Sequence, residues 1–177
     1  MKIAFLFSGQ LRELEFQLFR KSLLNLTQGL DYAIFAYSWE EMGKSLNHKN
    51  NLPEINFVEN IDEKINFLFK NFNLLDFGYE SFKDFKKGLK DQHREIFYSK
   101  KFDFGTVNSL PQIYTLNKSF ELLEKSEYNF DLVFKCRFDS IFVHPMKIFP
   151  LKQILSNGSV YNLNFGRAYY PNRIYDI

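Results

Sequence analysis

Arg137-Phe138-Asp139 closes the apolar run Leu132-Val133-Phe134-Lys135-Cys136 and sets a guanidinium and a carboxylate just past what reads as a buried strand. A carboxylate placed there can hold a divalent ion or a sugar hydroxyl, and the arginine beside it can neutralise a phosphate. A structural Arg–Asp salt bridge is the other use of the same pair. The chain has 6 Arg and 9 Asp, so an Arg-x-Asp triple arises by chance about 0.3 times, and the triple by itself is weak. Position gives it weight, because open parallel sheets bind ligands in the crevice beyond the carboxyl ends of their strands.

A second group of this kind is Ser8-Gly9-Gln10-Leu11-Arg12, which follows the apolar stretch Ile3-Ala4-Phe5-Leu6-Phe7. Free backbone N–H groups, a helix N-terminus and an arginine could receive the phosphates of a nucleotide there or hold its base, and an ordinary tight turn is the alternative. Trp39, the only tryptophan, ends the next apolar stretch and could wall a base or sugar, or serve as a core aromatic. Glu40 and Glu41 point apart as neighbours and read as a solvated loop. His48, His93 and His144 have no second His or Cys at ligand spacing, so zinc is not expected. Gly-x-x-x-x-Gly-Lys-Ser/Thr, Gly-x-Gly-x-x-Gly and Gly-x-Ser-x-Gly motifs are absent from the sequence, which argues against P-loop, dinucleotide-binding and α/β-hydrolase chemistry.

These residues need elements to position them. Residues 3–7 are continuously apolar, as a strand buried on both faces should be. Phe16, Phe19, Leu23 and Leu26 then recur on one helical face until Gln28-Gly29 ends the helix. Residues 32–37 give a second buried strand that closes at Ser38-Trp39, and 55–58 a short third one. Asp62 is expected to cap a helix bearing Ile61, Ile65, Leu68 and Phe72. Residues 80–101 carry seven Lys or Arg against four Asp or Glu, read as a solvated helical face or as a patch facing anionic lipid or a phosphorylated acceptor. Asn108 or Ser109 is expected to cap a helix with Pro111 in its first turn and Ile113, Leu116, Phe120 and Leu123 in its stripe. That helix leads to the strand before Arg137, and residues 141–143 and 160–163 look like further strands.

With 177 residues and 45% hydrophobic content, the chain suits one domain spanning 1–177. The 22 Phe and 10 Tyr are expected mostly in the core. A net charge of +2 without a basic, aromatic-interleaved motif argues against nucleic acid as a partner. The lone Cys136, within an apolar strand, excludes a disulfide framework and suggests a buried thiol in a reducing compartment, the cytoplasm. No apolar run approaches the roughly 20 residues needed to span a bilayer.

Taken together, 7–12 (Phe-Ser-Gly-Gln-Leu-Arg), 36–39 (Ala-Tyr-Ser-Trp), 111–118 (Pro-Gln-Ile-Tyr-Thr-Leu-Asn-Lys) and 134–139 (Phe-Lys-Cys-Arg-Phe-Asp) resemble a family of bacterial surface-polysaccharide glycosyltransferases of GT-A type. Order and spacing agree over about residues 1–145. The resemblance implies an α/β, Rossmann-like fold with a mostly parallel central sheet flanked by helices. It implies transfer of a sugar from a nucleotide-diphosphate donor to a lipopolysaccharide or capsule intermediate, a glycan or glycolipid acceptor. By it, Ser8, Gly9, Gln10 and Arg12 would line the nucleotide site, with Trp39 as a wall. Gln112 and Lys118 would face that site from the long helix, Arg137 would assist the diphosphate, and Asp139 would meet a metal or the ribose. Arg-x-Asp stands where many relatives have Asp-x-Asp, leaving one acidic ligand for Mn²⁺ or Mg²⁺. Location in the cytoplasm, peripheral to the inner membrane, is expected. Relatives continue well past residue 177, so a C-terminal acceptor portion with its general base is expected to be missing, and a non-catalytic nucleotide-binding domain is the alternative. An α/β interaction module without a ligand is a third reading.

Overall fold

The structure is a computed structural model and describes residues 1–11, 16–42, 56–57, 61–92, 104–143, 145, 168–170 and 173–175. Its centre is β1 (Lys2–Gly9), whose residues Ile3 to Phe7 are fully buried. β2 (Asp31–Trp39) pairs with β1 in parallel, Lys2 opposite Asp31 and Gly9 opposite Ser38. Both strands are apolar on two faces because helices cover both sides of the sheet, which is why they read as unbroken apolar runs.

Odd-numbered residues of β1 face one helical layer. Ile3, Phe5 and Phe7 join Ile34 and Ala36 of β2 against Phe19, Leu23 and Leu26 of α1 (Phe16–Thr27) and Ile61, Ile65, Leu68 and Phe69 of α2 (Ile61–Phe69). Gly29, at φ 72°, ends α1 in the left-handed conformation glycine adopts without steric penalty. Even-numbered residues face the other layer, where Ala4, Leu6, Ala33 and Phe35 pack on Leu116, Leu122 and Leu123 of a long helix and on Phe130.

The third sheet strand is not 55–58. Glu41–Met42 (β3) and Asn56–Phe57 (β4) form a separate two-residue antiparallel pair, and Leu74–Glu80 (β5) takes the place beside β2, in parallel. After β5 come α3 (Phe82–Gln92) and the long helix α4 (Phe104–Lys125), and then β6 (Leu132–Cys136), parallel to β1 on its free side. The four-stranded sheet therefore runs β5-β2-β1-β6, which is third, second, first, fourth in chain order. This is an α/β, Rossmann-like sheet with flanking helices.

Three other expectations are corrected. Asp62 lies in the first turn of α2, which begins at Ile61, and Phe72 falls beyond the helix, after Asn71 at φ 73°. α4 begins at Phe104, so Asn108, Ser109 and Pro111 lie within it. Residues 141–143 are not a strand. The small hairpin β7 (Ala168–Tyr170) and β8 (Arg173–Tyr175) lies near the end of the chain; the strand expected at 160–163 lies outside the described residues.

Candidate functional site

Chain order places the site. From β1 the chain moves outward to β2 and β5 on one side, then crosses back to put β6 on the other. The carboxyl ends of β1 and β6 thus flank the switch point where successive connections diverge, and a crevice opens there in sheets of this topology. β1 ends in Ser8-Gly9, and its Phe7 is in register with Cys136, the last residue of β6, so Ser8-Gly9 and Arg137 continue the chain from neighbouring strand ends. The sequence groups 8–10 and 137–139 are brought together.

Gly9 has φ 116° and nothing within 4 Å of where a Cβ would stand, so the turn needs glycine for its backbone and not for space. Ser8 is buried and Gln10 half-buried. Arg12 lies outside the described residues.

Arg137 to Ser140 form a tight turn in which the Ser140 N–H donates to the Arg137 carbonyl at 3.2 Å. Phe138 points into the α1/α2 layer against Phe7 and Phe69, with ring centroids 5.8 and 6.4 Å away. That anchor leaves Arg137 and Asp139 together. Arg137 Nε donates to Asp139 Oδ1 at 2.7 Å and its NH2 nitrogen to Oδ2 at 2.8 Å, a fork-to-fork pair. The Asp139 side chain is 6% exposed and that of Arg137 40%. The salt bridge is therefore made, and it leaves the cation as the group facing outward.

This geometry bears on a metal. Both Asp139 oxygens accept from Arg137, and among the described residues no group of three His, Cys, Asp or Glu is placed to hold an ion. With both its oxygens engaged by Arg137, Asp139 alone is a poor holder of Mn²⁺ or Mg²⁺, and most of the oxygens around such an ion would have to come from a donor's phosphates and water. The pair fits an anion better.

Trp39, Lys118 and Gln112 lie elsewhere on the same edge. α4 leaves the carboxyl side of the sheet and delivers the chain to the start of β6, so it runs antiparallel to the strands with its N-terminal half at the carboxyl edge. Trp39 is only 3% exposed, stacked on Tyr114 of α4 at 5.8 Å and packed on Phe82 and Phe85 of α3 at 5.1 and 4.9 Å. It is a core aromatic, not an open wall. Lys118 forms an ion pair with Glu121 at 2.8 Å and lies over the Tyr114 ring, and Gln112 is exposed on α4.

Around Trp39 the structure assembles a polar cluster absent from the sequence-level candidates. Glu80 ends β5 in register with Trp39, and its Oε2 accepts from the Tyr114 hydroxyl at 3.1 Å. Burial raises the Glu80 carboxyl above its ordinary value, opposed by the Tyr114 hydrogen bond and by Lys118. Tyr37 is pushed up to about 12 by burial and then by the charges of Glu80 and, less strongly, Glu121. The cluster's signal in the sequence is Glu80 at the end of a strand whose own pattern, with Asp76 and Gly78 inside it, is weak.

Comparison of the chain with protein-family models, with curated protein sequences and with solved structures returned no match. Among the described residues no helix is long and apolar enough to cross a membrane.

Proposed function

We propose that the protein is a nucleotide-sugar-dependent glycosyltransferase of GT-A type that passes a sugar to a lipopolysaccharide or capsule intermediate at the cytoplasmic face of the inner membrane. The observation that carries this reading is the switch point between β1 and β6. Ser8 and Gly9 end one flanking strand there, and the Arg137–Asp139 pair follows the other.

Backbone N–H groups at 8–10 would receive one anionic oxygen of the donor, and the Arg137 guanidinium, held in plane by Asp139, another. Neutralising the departing diphosphate is the electrostatic part of sugar transfer, and a preorganised cation can supply it. Asp139 acts in this scheme by positioning Arg137. The motif resemblance supplies the sugar and the acceptor class. A non-catalytic nucleotide-binding domain is the second reading, since deprotonation of the acceptor needs a base that none of these residues provides.

Thermal stabilisation by UDP, GDP, CDP and CMP, each with and without Mn²⁺, tests the site. A ligand at 100 times its dissociation constant stabilises by about 2.7 kcal/mol. One nucleotide is expected to respond, and its affinity to fall at least tenfold in Arg137→Met, so that the stabilisation at the same concentration drops to about 1.4 kcal/mol or less. Turnover of that donor with acceptor separates the transferase from the inert domain. No stabilisation by any nucleotide in a folded sample sinks both.

A further inference from the structure

Where the carboxyl ends of β5 and β2 meet α4, one side chain has incomplete hydrogen bonding. Glu80 Oε2 accepts from Tyr114, whereas Oε1 is buried and has no hydrogen-bond partner among the described residues. A buried ionised oxygen without a donor is strongly disfavoured, and a protonated carboxyl removes most of that penalty.

The surroundings are built around this group. The Tyr37 ring packs its edge on Gly78, where a Cβ would stand 2.7 Å from Cε2, so glycine is what admits the ring. The Glu80 backbone carbonyl accepts from the Glu40 N–H at 2.9 Å, continuing the sheet. The titratable groups that act on the carboxyl from α4 are Tyr114, Lys118 and Glu121, and Tyr37 of β2 in turn feels its charge. Packed on Trp39, α3 presents Phe82 and Phe85, while its Lys83, Asp84, Lys86 and Lys87 are exposed. Lys118 is engaged with Glu121 rather than with Glu80.

We infer that Glu80 is a proton-operated clamp: neutral, it lets Oε1 stay dry and the carboxyl ends of β5 and β2 close on α4, and ionised, it draws water to Oε1 and loosens the Trp39–Tyr114 layer. The direction of its titration agrees. Folding raises its proton affinity, and the unfolded carboxyl titrates near 4.5. The clamp's contribution is therefore complete below that value and is lost as pH rises through the higher value of the folded state. The inference does not depend on the proposed transferase activity.

Trp39 is the only tryptophan of the chain and sits in this layer, so its emission reports the clamp directly. In the full chain, emission scanned from about pH 4 to pH 9 is expected to shift to the red in one step, centred above the ordinary glutamate range. Glu80→Gln, which keeps the neutral form, is expected to abolish the step and stay blue throughout. Tyr114→Phe removes the hydrogen bond that favours the charged form and moves the midpoint up. Glu121→Gln removes a repelling carboxylate, leaves Lys118 to Glu80, and moves it down. A step that persists in Glu80→Gln, a wild-type profile with no step, or midpoints that move the same way in the last two variants would overturn the inference. These two variants decide the matter even where Glu80→Gln does not fold.

Discussion

Asp139 is acceptor to two nitrogens of one guanidinium, and nearly all its surface is covered, whereas its partner is partly in solvent. Removing the arginine leaves a buried carboxylate without its strongest donor. Removing the carboxylate leaves a cation that water can reach. Arg137→Met is therefore expected to lower stability by about 1–3 kcal/mol and by more than Asp139→Asn does, as read from urea unfolding midpoints. Equal effects would mean that the carboxylate has other donors of comparable weight. Cys136 provides a second test at this scale. Burial pushes its thiol up, so it is expected to resist a disulfide reagent at mildly alkaline pH and to react fully once the chain is unfolded. Rapid reaction in the native state would show that the β6 end opens readily.

Two contacts decide how elements seat on one another. Arg20 of α1 donates to the carbonyls of Phe67 at 2.7 Å and Lys70 at 2.9 Å, supplying donors to the end of α2. A lysine cannot span both oxygens in a planar fork, so Arg20→Lys is expected to lose about 1 kcal/mol, visible in thermal unfolding. Gly78→Ala drives a methyl into the Tyr37 ring and is expected to lose about 1–3 kcal/mol. Tyr37→Ala should absorb most of that loss in the double variant, and strict additivity would show that the two do not meet. The same strand marks where the sequence was hard to read. β1, β2 and α1 were legible because burial on two faces gives unbroken apolar runs, and on one face gives Phe19, Leu23 and Leu26. β5 was not, because Asp76 and Gly78 depress strand propensity and edge placement leaves Leu75 exposed. Pro111 suggested a helix start, yet α4 carries it internally, with the Thr115 hydroxyl donating to its carbonyl at 3.0 Å. Of the candidate site, residues 8–10 and 137–139 were legible from strand ends. The Glu80 cluster was not, since nothing local links positions 37, 80 and 114.

At the level of the whole molecule, both neighbours of β1 are parallel strands and both its faces are covered, whereas β6 alternates between covered and exposed residues along its length. Amide exchange is expected to be slowest in β1 and β2 and faster in β5 and β6, with the difference read peptide by peptide. Uniform protection across the four strands would contradict that order. One pairing carries a temporal consequence. The Lys2 amide donates to the Asp131 carboxylate at 2.7 Å across 129 positions of sequence, and β1 pairs with β6 at the same long range. During synthesis, β1 can pair with β2 early but must wait with its other edge open until about 130 further residues have emerged. For that interval the nascent chain presents a bare, strongly apolar strand edge, the kind of surface that chaperones shield and that seeds aggregation when they do not.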